Sequence, residues 1–188
     1  MELRVHGSIF FLLKKFVVHH YSDEMWNQLV KEAHPSCTEF EMTKNYPLSD
    51  IESIVSCASE HSGYSVNQLK EMFGEWLVPD LFKIYSSYLN PDWKTLDVLE
   101  HTEVVMHGAV RKLNSTANPP ILNVLRVSDT LTMIDYHSKR KMGSLAVGII
   151  RGIANYYNEA HLFRIFSTTD PDAERVQIKV ETVTNAAV

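Results

Sequence analysis

The spacing of hydrophobic residues changes partway along the chain, and this change limits the fold more than any other feature. Up to Leu113, hydrophobic residues recur every three or four positions, which is typical of amphipathic helices. From Ile121 onward they fall mainly into short runs typical of strands, with one further helical segment among them. We therefore predict an α+β fold, in which a helical N-terminal half packs with a C-terminal half of antiparallel β-sheet and helices.

Local signals set the boundaries of the predicted elements. Residues 22–23 can cap the second helix, and Ser65 can cap a later one. Gly63 is placed to end the helix before Ser65, whereas Gly74 and Pro79 should break or kink the helical pattern around them. The predicted helices span residues 9–20, 23–33, 49–61, 65–72, 81–89, 95–113 and 142–157, and the strands, which form two hairpins, span 121–127, 131–140, 161–166 and 175–183.

Composition places the chain among ordinary globular proteins. Its 188 residues are 45% hydrophobic and 22% charged, which is enough to bury one sizeable core and predicts a single domain. The net charge is −5 and the basic residues are scattered, so we expect no binding to nucleic acid. The hydrophobic run from Ile9 to Leu13 is too short to cross a membrane, and no secretory signal is evident. We predict a cytoplasmic protein that binds no membrane.

Three polar residues at alternate positions, Tyr136, Ser138 and Arg140, form the most informative motif. In the strand predicted over residues 131–140, they project from one face. Two hydroxyl groups and a guanidinium group on one face could bind carboxylates or phosphate, because arginine binds such groups with two parallel hydrogen bonds. The alternative is an ordinary solvated face of an edge strand.

Among the nine histidines, His107 lies on the helix that precedes this motif. On a helical projection it falls at the border of the hydrophobic stripe, one turn from Glu103 and Val110, whereas His101 points toward water. A neutral imidazole at such a border could bind a metal in a dry pocket. It could also be a boundary histidine that hydrogen-bonds to the backbone. We interpret Glu100 and Glu103 as a solvated or partner-facing edge of this helix.

The order of these residues resembles that of a known family. His107 is followed by the Pro119-Pro120 segment and then by Tyr136-x-Ser138-x-Arg140, in the order and at the spacing seen in haem nitric oxide/oxygen binding (H-NOX) domains. The His6-Gly7 pair before a hydrophobic helix and the Phe73-Gly74 pair in mid-chain resemble two further elements of that family. The three-residue motif alone would be weak support, but the ordered set is specific.

The resemblance covers residues 5–183, which we interpret as one H-NOX domain of the stand-alone bacterial type. Residues 1–4 precede the point where the family usually begins, so we interpret them as extra N-terminal residues or a tag. Residues 184–188 are interpreted as a frayed tail. We expect no output domain on this chain, so the resemblance implies a sensor that acts on a separate partner.

The resemblance also implies a cofactor and its ligands. A haem b group (iron protoporphyrin IX) would lie between the helical half and the sheet half, with His107 as its proximal axial ligand. Tyr136, Ser138 and Arg140 would bind the haem propionates. Pro120 matches the proline that presses on the macrocycle and distorts it in this family, although a loop proline that ends a helix fits the sequence equally well.

The side chains on the distal side of the haem decide which gas is bound. Oxygen-binding members of the family carry a distal tyrosine, and Leu145 stands at the matching position. The other expected pocket residues are also hydrophobic: Ile9, Leu13, Leu77 and Ile149. Bound oxygen is stabilised by a hydrogen-bond donor that nitric oxide does not need, so the pocket should exclude oxygen. These residues could also be plain core, and Tyr64, Tyr85 or Tyr88 could supply a hydroxyl group that we have not assigned.

The resemblance therefore implies a haem-based sensor of nitric oxide, with carbon monoxide as a further candidate ligand. Signalling would proceed by release of the proximal histidine and a conformational change passed to a histidine kinase or a cyclic-di-GMP enzyme. We expect no enzymatic activity. The first alternative is a haem enzyme acting on peroxide or nitric oxide, which would need distal acid–base groups. The second is a haem-free module whose polar face binds another anion.

Overall fold

The computed structural model describes residues 2–113 and 118–183, without the side chain of residue 113. The predicted tail at 184–188 lies outside these residues. The predicted fold class is confirmed: the chain combines helices with antiparallel sheets. It divides into two compact units, one up to Phe73 and one from Gly74 onward. Within the described residues, no helix is long and hydrophobic enough to cross a membrane.

The first unit is mainly helical. Its elements are β1 (Arg4–His6), α1 (Gly7–His20), α2 (Asp23–Ala33), β2 (Asn45–Pro47), α3 (Leu48–Ser62) and the beginning of α4. Strands β1 and β2 pair antiparallel, with Val5 opposite Tyr46. The sequence did not indicate this pair, because strands of three residues are too short to show a hydrophobic period. On α1, Leu13 is buried and Ile9 is half-buried.

Two predicted helix boundaries in this unit are confirmed by their hydrogen bonds. The Ser22 hydroxyl group accepts a hydrogen bond from the Met25 N–H at 3.2 Å, which caps α2. Gly63 ends α3 in the left-handed region, with φ of 74°, and its N–H donates to the Ser59 carbonyl group. That conformation favours glycine over any residue with a Cβ atom.

Helix α4 (Val66–Ile84) contradicts the prediction of a break at Gly74 or Pro79, because it continues through both. Ser65 and Gln68 form the reciprocal hydrogen bonds of a capping box at its start. At Gly74, the backbone of a neighbouring helix comes so close that any side chain would collide with it. Gly74 therefore allows the two helices to pack closely and does not interrupt α4.

The second unit contains the rest of α4, three helices and a four-stranded sheet. Its further elements are α5 (Thr95–His101), α6 (Gly108–Leu113), β3 (Ile121–Ser128), β4 (Leu131–His137), α7 (Gly143–Tyr156), β5 (Phe163–Ser167) and β6 (Arg175–Thr182). The segment predicted as a helix over residues 81–89 holds only the end of α4 and a short 3₁₀ turn at Ser86–Tyr88.

The four-stranded sheet is antiparallel, with strand order β3-β4-β6-β5. The two predicted hairpins are confirmed as β3–β4 and β5–β6. In the register, Tyr136 on β4 lies opposite Leu122 on β3 and Val176 on β6. Tyr136 shares one face of the sheet with Ile134 and Ile178, and these residues are buried. The first residue of the Tyr136-x-Ser138-x-Arg140 motif therefore lies on the core side of the sheet.

Candidate functional site

His107 ends a π-helical turn that interrupts the helix predicted over residues 95–113. This turn spans Thr102–His107, between α5 and α6. The prediction of one regular amphipathic helix was therefore wrong at this point, because a helical projection assumes 3.6 residues per turn throughout. π-Helical turns are rare and occur often at functional sites, where they redirect a side chain. His101, on α5, is exposed as predicted and stacks on Trp93.

Glu103, on the same π-helical turn, joins three parts of the second unit. Its Oε2 atom lies 3.1 Å from His107 Nδ1 and accepts a hydrogen bond from the Leu122 N–H at 3.0 Å. Its Oε1 atom accepts a hydrogen bond from Arg111 Nη2 at 2.7 Å. The interpretation of Glu103 as a solvated edge was therefore wrong. The spacing of four residues between Glu103 and His107 was the available signal, because such residues are neighbours on a helix.

Burial and this hydrogen-bond network set the charge states of both residues. Burial alone would raise the pKa of Glu103, but the hydrogen bonds from Leu122, His107 and Arg111 outweigh it and lower that pKa. Burial lowers the pKa of His107, and the Glu103 carboxylate opposes this only in part. At neutral pH, His107 is thus a neutral imidazole, the form that can bind a metal ion.

Tyr136, Ser138 and Arg140 lie together, but the strand does not carry all three. Strand β4 ends at His137, so the predicted strand over residues 131–140 was too long. Ser138 begins a turn in which its carbonyl group accepts a hydrogen bond from the Lys141 N–H, and Lys141 adopts a φ of 52°. Strand geometry cannot continue through such a turn.

A hydrogen bond within the turn links the backbone of Arg140 to the Ser138 side chain. The Ser138 hydroxyl group accepts it from the Arg140 N–H at 3.2 Å. Burial raises the pKa of Tyr136, although Ser138 and the charge on Arg140 oppose the rise. The phenol group therefore stays protonated at neutral pH and can donate a hydrogen bond.

Arg140 connects this cluster to the proline segment. Its Nη2 atom donates a hydrogen bond to the Asn118 carbonyl group at 2.6 Å. Burial lowers the pKa of Arg140, but an arginine remains charged in proteins. A guanidinium group has five N–H donors, and the bond to Asn118 uses one of them. The half-buried Pro120 lies nearby in the chain, and its carbonyl group accepts a hydrogen bond from Arg111 at 3.3 Å.

The predicted pocket residues of the second unit lie on α4 and α7. Leu77 is fully buried on α4, whereas Leu145 and Ile149, one turn apart on α7, are partly exposed. Close approach at Gly74 brings α4 against the backbone of Leu145 and Ile149. Among the unassigned tyrosines of this unit, burial raises the pKa of Tyr85, whose ring lies 6.5 Å from that of Tyr88.

The donor set fits a haem group. The unit offers a neutral imidazole for iron, and a cluster of phenol, hydroxyl and guanidinium groups for carboxylates. It also offers partly exposed hydrophobic side chains that could lie against a macrocycle. The residues that would hold the group are His107, Tyr136, Ser138 and Arg140.

Three solved structures illustrate how similar the fold is to that of known proteins. An H-NOX protein from S. oneidensis in the Fe(II)NO ligation state matches with a TM-score of 0.84, 21% identity and coverage of 96% of this chain and 100% of that chain. The Fe(II) unliganded H-NOX protein from K. algicida matches with a TM-score of 0.85, 18% identity and coverage of 98% and 100%. An H-NOX domain from S. oneidensis in the Fe(II)CO state matches with a TM-score of 0.81, 20% identity and coverage of 96% and 100%.

At these identities, the structural matches establish the fold alone. No curated protein matches the sequence. The sequence profile of the Haem-NO-binding family (HNOB), however, matches residues 6–164, which is most of the chain. The chain therefore belongs to the H-NOX family of haem-binding gas sensors.

Proposed function

We propose that this protein is a haem-based sensor that binds nitric oxide at ferrous haem, excludes oxygen, and signals to a separate partner protein. The observation that carries the proposal is the pairing, within one unit, of a neutral and mostly buried His107 with the Tyr136–Ser138–Arg140 cluster. Residues 5–183 would form the sensor domain, in the cytoplasm of a bacterium.

His107 is the proposed proximal ligand. Its side chain is 18% exposed and uncharged at neutral pH, so a lone pair is available to iron. Because Nδ1 is engaged by Glu103, Nε2 is the atom that would coordinate the metal. The haem, which we take to be haem b, would supply a ferrous iron able to bind a diatomic gas.

Tyr136, Ser138 and Arg140 are the proposed propionate-binding residues. The phenol group and the guanidinium group can both donate to carboxylates, and the turn after β4 holds them together. We further propose that Pro120 contacts the macrocycle and distorts it. The hydrogen bond from Arg111 to the Pro120 carbonyl group supports this role, because it ties the proline to the network around His107.

Selectivity for nitric oxide is assigned to hydrophobic residues. The side chains of Leu77, Leu145 and Ile149 carry no hydrogen-bond donor, and neither do those of the other predicted pocket residues, Ile9 and Leu13. Oxygen bound to ferrous haem gains stability from a donor, whereas nitric oxide binds strongly without one. Carbon monoxide is a further proposed ligand, since one of the similar structures is in the Fe(II)CO state.

We propose that the signal to the partner protein begins with a change at His107. If His107 holds a haem iron, release of its ring on gas binding would free the π-helical turn that carries it to relax. A ligand that favours one of two arrangements in this way shifts their populations. A histidine kinase or a cyclic-di-GMP enzyme is the proposed partner, and the protein itself would not be an enzyme.

Absorption spectra of the purified, reduced protein test this proposal. We expect a haem spectrum that stays unchanged on brief exposure to air and changes on addition of nitric oxide. A stable oxygen complex would contradict the assigned selectivity. A protein that takes up no added haem would contradict the sensor function, and turnover of peroxide or nitric oxide would favour a haem enzyme instead.

A further inference from the structure

We propose that Glu103 is a positioning residue that strengthens the bond between His107 and iron and so sets how easily the histidine is released. The inference rests on the proposed role of His107 as the axial ligand. It adds a residue that acts on the haem only through that ligand.

The geometry places the Glu103 carboxylate against the histidine ring. The Oε2 atom of Glu103 lies 3.1 Å from His107 Nδ1, which is hydrogen-bonding distance. The backbone joins the same two positions, because the N–H of Gly108, next to His107, donates to the Glu103 carbonyl group. The π-helical turn therefore holds glutamate and histidine side by side through both side chains and main chain.

Further hydrogen bonds fix the Glu103 side chain in place. The Leu122 N–H donates to the same Oε2 atom at 3.0 Å, and Arg111 donates to Oε1 at 2.7 Å. The side chain is only 25% exposed. A carboxylate with three such partners is oriented before any cofactor binds, so its contact with His107 is built into the fold.

This arrangement determines which tautomer His107 adopts. The hydrogen bonds from the Leu122 N–H and from Arg111 keep Glu103 as a carboxylate, which accepts hydrogen bonds and donates none. The proton shared with His107 must therefore sit on Nδ1. The lone pair is then on Nε2, the atom that would face the metal.

The carboxylate also changes the strength of the ligand. A hydrogen bond from the ring N–H to a carboxylate moves electron density into the imidazole and makes the other nitrogen a stronger base. Iron should therefore hold His107 more firmly than it would hold a histidine bonded to a neutral acceptor. Arg111 shares the negative charge of Glu103 and moderates this effect.

Glu103→Gln is the direct test, because it keeps the size of the side chain and removes its charge. The matched control is Glu100→Gln. Glu100 lies one turn earlier and pairs with Arg126 on β3 at 3.0 Å, so it also links the helix to the edge strand. The measurement is the iron–histidine stretching frequency of the reduced, haem-loaded protein, by resonance Raman spectroscopy.

We expect the frequency to fall in Glu103→Gln and to stay at the wild-type value in Glu100→Gln. In the nitric oxide complex, His107 should remain bound to iron in a smaller fraction of Glu103→Gln molecules than of wild-type molecules. Haem should dissociate about tenfold faster, as is usual when a partner of a metal ligand is removed. A merely structural role for Glu103 would not move the stretching frequency.

An unchanged frequency in a folded Glu103→Gln variant would overturn the proposal. If that variant does not fold, Arg111→Gln replaces it: the carboxylate would share less of its charge, so the frequency should rise, and no rise would overturn the proposal. The failure of the proposed function has a different signature. The wild-type protein would then lack an iron–histidine band, or a variant without His107 would keep it.

Discussion

The backbone of Leu145 occupies the space that a side chain at Gly74 would need: a Cβ atom added there would overlap the Leu145 carbonyl oxygen and lie 2.9 Å from the Ile149 nitrogen. Gly152 on α7 mirrors this contact, since its Cβ would lie 2.5 Å from the Glu75 carbonyl oxygen. Glycines on both helices thus let α4 and α7 approach closely. This close packing of α4 against α7 also fixes the position of Leu145.

Gly74→Ala should destabilise the protein. Alanine favours a helix over glycine by about 1 kcal/mol, but forcing α4 away from α7 costs about 1–3 kcal/mol, and a backbone collision lies at the upper end of that range. We expect a net loss of about 1–2 kcal/mol in the free energy of unfolding, measured by urea denaturation. Gly108→Ala is the control, because its Cβ would have no neighbour closer than 3.7 Å. Equal stability of the two variants would contradict the packing role.

Leu145→Tyr should allow the reduced protein to bind oxygen. The substitution puts a phenol group at a position that is hydrophobic here, and a donor stabilises bound oxygen. The absorption spectrum of the reduced protein in air is the measurement. Leu145→Phe supplies the same ring without the hydroxyl group and should not bind oxygen. If both variants behave alike, Leu145 does not control selectivity.

Arg140→Lys should weaken haem retention. Lysine keeps the charge but loses the planar fork that binds a carboxylate with two hydrogen bonds. Loss of one charge-assisted hydrogen bond costs about 1.5 kcal/mol, so haem should transfer to an acceptor protein about tenfold faster. Lys139→Ala changes an exposed neighbour in the same turn and is the control. Wild-type retention in Arg140→Lys would contradict the propionate assignment.

Acid should destabilise the haem-free protein through His107 and Glu103. In the folded state the pKa of His107 is lowered below 6.5. As the pH falls through 6.5, the histidine is therefore protonated first in the unfolded state. The free energy of unfolding then decreases until the histidine of the folded state is protonated as well. The pKa of Glu103 is lowered below 4.5, so its contribution is lost in turn as the pH falls further. His107→Gln should flatten the fall of stability below about pH 6.5, measured by urea denaturation at each pH. Parallel curves for the two proteins would rule out a neutral, buried His107.

The predictable parts of the fold are those set by local signals. Helix α2 begins and ends where predicted, Asp23 to Ala33, because Ser22 caps it through a bond between near neighbours. The missed parts depend on distant contacts. The continuity of α4 through Gly74 follows from packing against α7, which no spacing of residues reveals.

In the candidate site, too, local features could be predicted from the sequence and features that depend on distant contacts could not. His107 and Tyr136 stand out in the sequence by residue type and order. The π-helical turn at Thr102–His107 does not, because a helical projection cannot show an added residue within one turn. The role of Glu103 depends on that turn and on β3, where the Leu122 N–H meets it. The spacing of four residues signals the contact between Glu103 and His107, but only the folded structure shows the contact with Leu122.

The proposed sensor function depends on His107 as the residue that binds the haem iron. The most direct measurement is the iron–histidine stretching band of reduced His107→Gly, before and after addition of free imidazole. His101→Gly is the control, since His101 is exposed and lies one π-helical turn earlier. We expect the native band to be lost only in His107→Gly, and imidazole to bind in the space left by the side chain. A native band in His107→Gly without imidazole would contradict it and place the ligand on another histidine.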